Sequence, residues 1–292
     1  MARSVVLRAF LLLPIAFVAA FLLAPLGLTI AVSFWQRVGL TVRPAFVFVS
    51  YLTFFDSVRL AVLTRSLLVS IEATALSLFI AYPIAYFLAF KARPSATRLT
   101  LILFTTPFLV NYVIRAFAWT YLLGRTGPVN ALLTSAGIVD RPLDWLLYSD
   151  FSVLVGLVSS YMPFMIFPIW LSLTGIDRAL IQASWLLGAS PARTFFGVTL
   201  PLSLPGVFAA AIFGFVSSFG ESAIPVIMGG VGYQLMGNTI TSAMDVLNYP
   251  LAAAMSTVVV LAMSVLLLGW YLVFDMQSFL GKLLNWRGRE DA

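Results

Sequence analysis

The sequence has 292 residues, of which 61% are hydrophobic and only 10% are charged, against roughly 45–50% and about 25% in ordinary soluble domains. A water-soluble protein of this composition would lack the polar surface needed to cover its core, so lipid must solvate much of the chain. The net charge of +6 does not indicate a nucleic-acid partner, because the basic residues are scattered over short loops and form no run or stripe.

Six apolar segments are each long enough for a transmembrane helix of roughly 20 residues. They lie near 9–35, 67–90, 99–123, 151–175, 205–230 and 251–274. The first is too long for the apolar region of a cleaved signal, which has about 7–15 residues, so we interpret it as a retained span. The sequence therefore predicts an all-α polytopic bundle of six transmembrane helices that forms a single domain over residues 1–292.

Six spans place both termini on the same side of the membrane, and the basic residues indicate which side. With the N-terminus in the cytoplasm, ten Lys and Arg residues fall on the cytoplasmic side and six on the external side. Cytoplasmic loops carry the excess of Lys and Arg in membrane proteins. We therefore expect both termini in the cytoplasm, with the first external loop, about 36–66, lying partly along the membrane interface.

The loop between the fourth and fifth spans has the pattern of two short helices. Asp177 is placed to cap the first helix, which stops at Gly188, a residue free to adopt the left-handed conformation. Ser190 is placed to cap the second helix, and Pro201 and Pro205 are expected to end it before the fifth span. The pattern indicates a rigid helix pair on the cytoplasmic face.

The same loop, residues 176–204, carries a spaced motif. It consists of Gln182-Ala183-Ser184, Gly188-Ala189-Ser190, Phe195-Phe196 and Leu200-Pro201. This motif resembles the cytoplasmic EAA loop of bacterial ABC-importer permeases, in which Glu-Ala-Ala is followed by Gly-Ala, an aromatic residue and Leu-Pro. Gln182 stands where the family usually has Glu, and Ser184 stands where it has a second Ala.

The resemblance implies the type I ABC importer permease fold, with this loop as the coupling helix pair that docks in a groove of the ATPase. The residues implied in ATPase coupling are Gln182, Ala183, Ser184, Gly188 and Ala189. The small side chains of Ala183, Ser184 and Ala189, and Gly188 between them, permit the close approach that docking requires. The alternative is a helix pair that lies on lipid headgroups.

Other segments resemble a narrower group, the permeases of spermidine/putrescine importers. They are Ala81-Tyr82-Pro83-Ile84-Ala85-Tyr86, Val113-Ile114-Arg115-Ala116-Phe117-Ala118-Trp119, Ser218-Phe219-Gly220-Glu221 and Met236-Gly237-Asn238-Thr239-Ile240. The resemblance implies that the solute is a polyamine or a related small amine. Opines, amino-acid-like compounds and phosphonates remain open as other solutes.

The resemblance also implies a set of partners in the bacterial inner membrane. This chain would form half of a membrane domain with a second homologous permease, two ATPase subunits would dock from the cytoplasm, and a periplasmic or extracellular binding protein would deliver solute. The sequence contains no phosphate-binding loop, since Gly281-Lys282 is followed by Leu283. We therefore expect no enzymatic activity and no cofactor in this chain, with ATP and Mg²⁺ bound by the ATPase.

Three ionisable residues lie within predicted spans: Glu72, Arg115 and Glu221. Each would cost roughly 2.5–3.5 kcal/mol near a helix centre, so they should face the bundle interior, water or one another. Arg115 is expected either to pair with Glu221 or to be engaged by Glu72 or by carbonyl groups at a helix end. If Arg115 pairs with Glu221, the pair is structural, and if it does not, Glu221 is available to attract a cationic amine.

Further residues are candidates for the substrate path beside Glu221. Trp119 and Tyr161 offer aromatic faces to an alkylammonium group, although most aromatic residues near helix ends anchor the membrane interface. Asp245 is placed to draw cations toward the external mouth, although a solvated loop charge is the simpler interpretation.

A rival hypothesis is a self-sufficient secondary transporter or channel that couples protons or cations through Glu72 or Glu221. Such a protein often contains two inverted halves, and no such repeat is detectable in this sequence. A third hypothesis, an intramembrane enzyme, is disfavoured because the sequence contains no Cys and no His. The same absence removes the usual zinc ligands, so no metal site is expected.

Overall fold

The computed structural model describes residue 14 and residues 16–106 and 110–273. These residues form a mostly helical protein. The helices are α1 (Ala16–Ser33), α2 (Val49–Phe54), α3 (Ser57–Phe90), α4 (Pro94–Thr105), α5 (Tyr112–Leu123), α6 (Pro128–Ser135), α7 (Asp150–Thr174), α8 (Arg178–Leu186), α9 (Pro191–Phe219), α10 (Ala223–Met228), α11 (Met236–Asp245) and α12 (Tyr249–Val273). An antiparallel hairpin of β1 (Gln36–Val38) and β2 (Thr41–Arg43) follows α1.

Within the described residues, five helices are long and apolar enough to cross a membrane: α1, α3, α7, α9 and α12. The prediction of a fourth span near 151–175 and a sixth near 251–274 agrees closely with α7 and α12. The predicted first span begins outside the described residues. Its described part ends at Ser33.

The region predicted as one third span, 99–123, contains two helices, α4 and α5. Residues 107–109 lie outside the described part of the chain. α5 starts as a new helix because the side chain of Asn111 accepts a hydrogen bond from the backbone N–H of Val113 at 2.9 Å. An N-terminal cap of this kind satisfies a donor that has no partner within the helix.

The region predicted as the fifth span, 205–230, also differs from the structure. α9 begins at Pro191 and ends at Phe219, and the short α10 follows after a break. The expectation that Pro201 and Pro205 end the preceding helix is wrong. A π-helical segment, Phe195–Thr199, precedes Pro201 and carries the helix into the span, so both prolines are accommodated within α9.

The chain divides into two compact units, and the first contains the described residues up to Ala61 together with Thr239–Trp270. Here Ser33 at the end of α1 is buried, and its hydroxyl lies 2.6 Å from the hydroxyl of Tyr51. The ring of Phe34 stacks on Phe46 with centroids 4.8 Å apart. These contacts hold the segment after α1 against α2.

The second unit contains Val62–Asn238, and its centre is the contact between α7 and α9. Gly206 of α9 faces the backbone of Pro168 in α7 so closely that a Cβ at this position would lie 2.3 Å from the Pro168 carbonyl oxygen. Small residues allow helix backbones to approach in this way inside membranes. One buried cluster of this unit includes Met165, Ile169 and Ala210, which pack around this crossing.

A second buried cluster in the same unit includes Leu157 of α7 and Ile224 and Met228 of α10. The short helix α10 is therefore anchored by apolar contact although it has only six residues. This packing fixes the break between α9 and α10, where the candidate site lies.

Candidate functional site

The predicted coupling loop forms a helix, a turn and a second helix. The carboxylate of Asp177 accepts a hydrogen bond from the backbone N–H of Ala179 at 2.9 Å and caps α8, which ends at Leu186. Gly188 has a φ of +78°, in the left-handed region that favours glycine. The sequence rules for helix capping therefore gave the correct local structure at this turn.

The second half of the loop is also capped as predicted, since the Ser190 hydroxyl accepts a hydrogen bond from the N–H of Arg193 at 3.3 Å. The two halves are joined by a hydrogen bond of 2.8 Å between the hydroxyls of Ser184 and Thr194. Thr194 is buried although every residue of α8 itself is at least partly exposed. The two halves are thus held together by a hydrogen bond of their own, and most of α8 is exposed.

The residues predicted to couple to an ATPase lie on this exposed helix pair. Gln182, Ala183 and Gly188 are exposed, and Ser184 and Ala189 are half-buried. Next to them, Leu186 and Leu187 each expose 88% of their surface. Apolar side chains that are this exposed indicate a surface that contacts another molecule.

A cavity of about 560 Å³ lies between α5, α7 and the break after α9. Its wall consists of Val110, Asn111, Tyr112, Arg115, Ser160, Tyr161, Phe164, Ser217, Gly220, Glu221 and Ser222. Three residues singled out from the sequence, Arg115, Tyr161 and Glu221, therefore share one cavity. The wall also offers hydroxyl and amide groups that sequence reasoning did not identify.

Glu221 is buried, with a relative exposure of 7%, and both of its carboxylate oxygens accept hydrogen bonds. Oε1 accepts from the backbone N–H groups of Ser222, Ala223 and Ile224 at 2.9, 2.8 and 3.3 Å. Oε2 accepts from the hydroxyl of Tyr161. The carboxylate therefore caps α10 and ties it to α7, which is a structural role for the charge.

The other two charges predicted inside spans occupy different surroundings. Arg115 is half-buried on the cavity wall, whereas Glu72 is exposed on α3. Between described residues, ion pairs join Arg59 to Asp56, Arg65 to Asp150 and Arg125 to Asp144. The pairing of Arg115 with Glu221 or Glu72 stays a prediction.

Two residues proposed for the substrate path are not among the residues of this cavity wall. Trp119 packs, half-buried, against the cluster that contains Leu157 and Ile224. Asp245 is exposed at the end of α11. Their structural surroundings fit the simpler interpretations, a packed aromatic ring for Trp119 and a solvated charge for Asp245.

The sequence did not reveal a polar cluster at the start of α7. A guanidinium nitrogen of Arg65 lies 2.8 Å from Asp150 Oδ1, and the Tyr233 hydroxyl donates to the same oxygen at 2.7 Å. The guanidinium also lies 4.2 Å above the centre of the Tyr233 ring. Burial and the hydrogen bond to Asp150 raise the pKa of Tyr233 above its ordinary value. The three residues are far apart in the sequence, so no local sequence pattern predicts this cluster.

Among the described residues, no group of three or more His, Cys, Asp or Glu side chains could hold a metal ion.

Comparison with known proteins agrees with this description. The family described as binding-protein-dependent transport system inner membrane component matches residues 73–278. The spermidine/putrescine transport system permease protein PotB of Escherichia coli strain K12 is 30% identical over 262 residues, which cover 88% of this chain and 94% of that protein. PotB of Haemophilus influenzae is 32% identical over 253 residues, which cover 86% of this chain and 88% of that protein.

A more distant relative, the molybdenum transport system permease protein ModB of Haemophilus influenzae, is 32% identical over 163 residues, 56% of this chain and 69% of that protein. Among solved structures, a chain of a bacterial alginate ABC transporter in complex with an alginate-bound periplasmic protein has a TM-score of 0.73. It is 17% identical and is matched over 91% of this chain and 93% of that chain. This likeness shows a shared fold.

Proposed function

The chain belongs to the binding-protein-dependent transport system inner membrane components, and from this premise we propose its solute, its partners and the residues that serve them. As a member of this family it is a permease subunit of an ATP-driven ABC importer. It forms half of the pathway through which the solute crosses the membrane. Its relatives are transport permeases, not enzymes.

The proposed solute is a polyamine such as spermidine or putrescine, or a related small amine. One observation carries this proposal: permeases named for these solutes match the chain at 30–32% identity over 86–88% of its length. The molybdenum permease, by contrast, matches only 56% of the chain. A match over this much of the chain includes the helices around the cavity as well as the family motif.

The exposed helix pair formed by α8 and the start of α9 is the proposed contact with the ATPase. Its capped ends and the Ser184–Thr194 hydrogen bond support this role, because a rigid element transmits force better than a flexible loop. Leu186 and Leu187 supply the apolar surface that docking would bury. Gln182 contributes a hydrogen-bonding side chain where the family usually has a charged one.

The proposed complex contains this chain, a second homologous permease, two ATPase subunits and an external binding protein, in a bacterial inner membrane with both termini of this chain in the cytoplasm. ATP and Mg²⁺ are bound by the ATPase subunits. Closure of the ATPases around the coupling helices favours the outward-facing state, and hydrolysis restores the inward-facing state. The free energy of ATP binding to the ATPase subunits thus shifts the membrane domain between its inward-facing and outward-facing states.

The cavity beside the α9–α10 break is the proposed contact of this subunit with solute or with the second permease. Tyr161 and Glu221 lie on its wall, and of the residues predicted for the substrate path these two have structural support. The hydrogen bonds to Glu221 give it a positioning role, since its carboxylate holds α10 in place beside the cavity. Arg115 adds a cation to the same wall.

Co-purification followed by ligand identification tests this proposal. The tagged chain is isolated from its native membrane, its partners are identified by mass spectrometry, and the small molecules released from the recovered binding protein are analysed. We expect an ATPase, a second permease and a polyamine. Recovery of a binding protein that carries a different class of solute would refute the polyamine assignment and leave the importer assignment intact.

A further inference from the structure

Glu72 lies within the membrane whatever the position of α3 along the membrane normal. α3 has 34 residues and is about 51 Å long at about 1.5 Å per residue. Glu72 is about 22 Å from the Ser57 end and about 27 Å from the Phe90 end on the same scale. Because the hydrocarbon core is about 30 Å thick, every placement in which α3 crosses the core fully puts Glu72 inside it.

The side chain of Glu72 is exposed, and it takes no part in the ion pairs Arg59–Asp56, Arg65–Asp150 and Arg125–Asp144. Its neighbours on the same helix face, Leu68 and Phe79, are exposed by 55% and 77%. A carboxylate on such a face cannot remain in contact with lipid tails, because intramembrane charges face protein partners or water. Something outside the described part of this chain must therefore meet this face.

The nearest cation along this face is already engaged. Arg65, two turns before Glu72, is bound to Asp150 at 2.8 Å and lies over the ring of Tyr233. The other intramembrane carboxylate, Glu221, accepts hydrogen bonds from three backbone N–H groups and from Tyr161. Of the two intramembrane carboxylates, Glu72 is thus the one whose charge is available to a ligand.

We propose that Glu72 lines the water-filled translocation pathway, where its carboxylate binds an ammonium group of the passing solute. The proposal rests on the proposed function, which supplies both a pathway enclosed by two permeases and a cationic solute. Charge complementarity identifies the occupant, since a carboxylate flanked by protein and lipid of low dielectric attracts a cation more strongly than a carboxylate in bulk water does. The exposed ring of Phe79 on the same face offers a second, cation–π contact to an alkylammonium chain.

Thiol modification tests whether this face meets water and solute. The chain contains no cysteine, so Ala75→Cys, an exposed position one turn from Glu72, provides a single thiol. The complete transporter is treated with a positively charged, membrane-impermeant methanethiosulfonate reagent, with and without spermidine, and modification of this chain is followed by mass. Asp140→Cys, at an exposed loop position, is the matched control.

We expect Ala75→Cys to react, and spermidine to slow the reaction at least fivefold. Adding Glu72→Gln to Ala75→Cys should abolish this protection, whereas Asp140→Cys should react equally with and without spermidine. A thiol at position 75 that does not react in the assembled complex would overturn the proposal, because the face would then be covered by protein or lipid. Protection that persists in the Glu72→Gln variant would overturn it as well.

Uptake kinetics provide the second readout. With Glu72→Gln the KM for spermidine uptake should rise about tenfold or more, with the second permease still recovered in the complex, whereas Asp140→Asn should leave the KM unchanged. Loss of the second permease from the Glu72→Gln complex would assign Glu72 to subunit contact and overturn the proposal. If the unmodified complex takes up no polyamine, the solute assignment fails, while thiol reactivity still decides whether this face meets water.

Discussion

The crossing of α7 and α9 provides a quantitative test of the fold. Replacing Gly206 by alanine adds a single methyl group, whose carbon would lie 2.3 Å from the carbonyl oxygen of Pro168 and 2.5 Å from Cβ of Ser172. Normal contacts are about 3.5 Å, so the two helices must separate by roughly 1 Å. The nearest obstacle is backbone, which cannot rotate away as a side chain can. Overpacking of this kind costs about 1–3 kcal/mol, occasionally more.

The matched control lies on the same helix. A methyl group added at Gly197 would meet no neighbouring atom within 4 Å, and this position is exposed, so Gly197→Ala should be neutral or stabilising by up to about 1 kcal/mol through helix propensity. Both variants are purified in detergent and their unfolding is followed by fluorescence during heating. Gly206→Ala should lower the midpoint by several degrees relative to Gly197→Ala. Equal midpoints for the two variants would show that α7 and α9 do not cross at this glycine.

Three further predictions concern the sites. Gly188→Asp places a side chain at a φ of +78°, so it should leave membrane insertion intact but abolish solute-stimulated ATP hydrolysis by the reconstituted complex; unchanged stimulation would contradict a coupling role. Tyr161→Phe removes the hydroxyl donor to the buried Glu221 carboxylate and should destabilise the protein by about 1.5–3 kcal/mol, measured by thermal unfolding; an unchanged midpoint would show that this bond is not formed. Tyr233→Phe removes the hydroxyl that donates to Asp150. The pKa of Tyr233 is raised in the folded state, so above about pH 10 the tyrosine ionises more readily in the unfolded protein than in the folded one. The stability lost in this variant, measured by thermal unfolding, should therefore be constant below about pH 10 and should shrink at higher pH. A loss that already shrinks between about pH 7 and 9 would contradict this reasoning.

Local rules correctly predicted the helix caps and the turn in the loop at 176–204. Capping by Asp177 and Ser190 and the left-handed Gly188 follow from short-range chemistry that is the same in any fold. Apolar length alone similarly located α7 and α12. Features determined by a few neighbouring residues are those that a single sequence reveals.

The remaining features depend on distant contacts. α3 begins at Ser57, ten residues before the predicted span, and its Arg65 pairs with Asp150, 85 positions later in the chain. The continuation of α9 through Pro201 depends on a π-helical segment that no simple periodicity signals. Glu221 was recognised as an intramembrane charge, but its hydrogen bond with Tyr161, 60 positions away, has no local signal in the sequence.

A permease of this family should move solute only when a separate ATPase drives it. Transport of radiolabelled spermidine into proteoliposomes tests this dependence, with vesicles that contain either this chain alone or the complete complex with its binding protein. We expect uptake by the complete complex only with ATP on the ATPase side, and no uptake by the chain alone under any ion gradient. Gradient-driven uptake by the isolated chain would contradict the assignment as an ATP-dependent permease subunit.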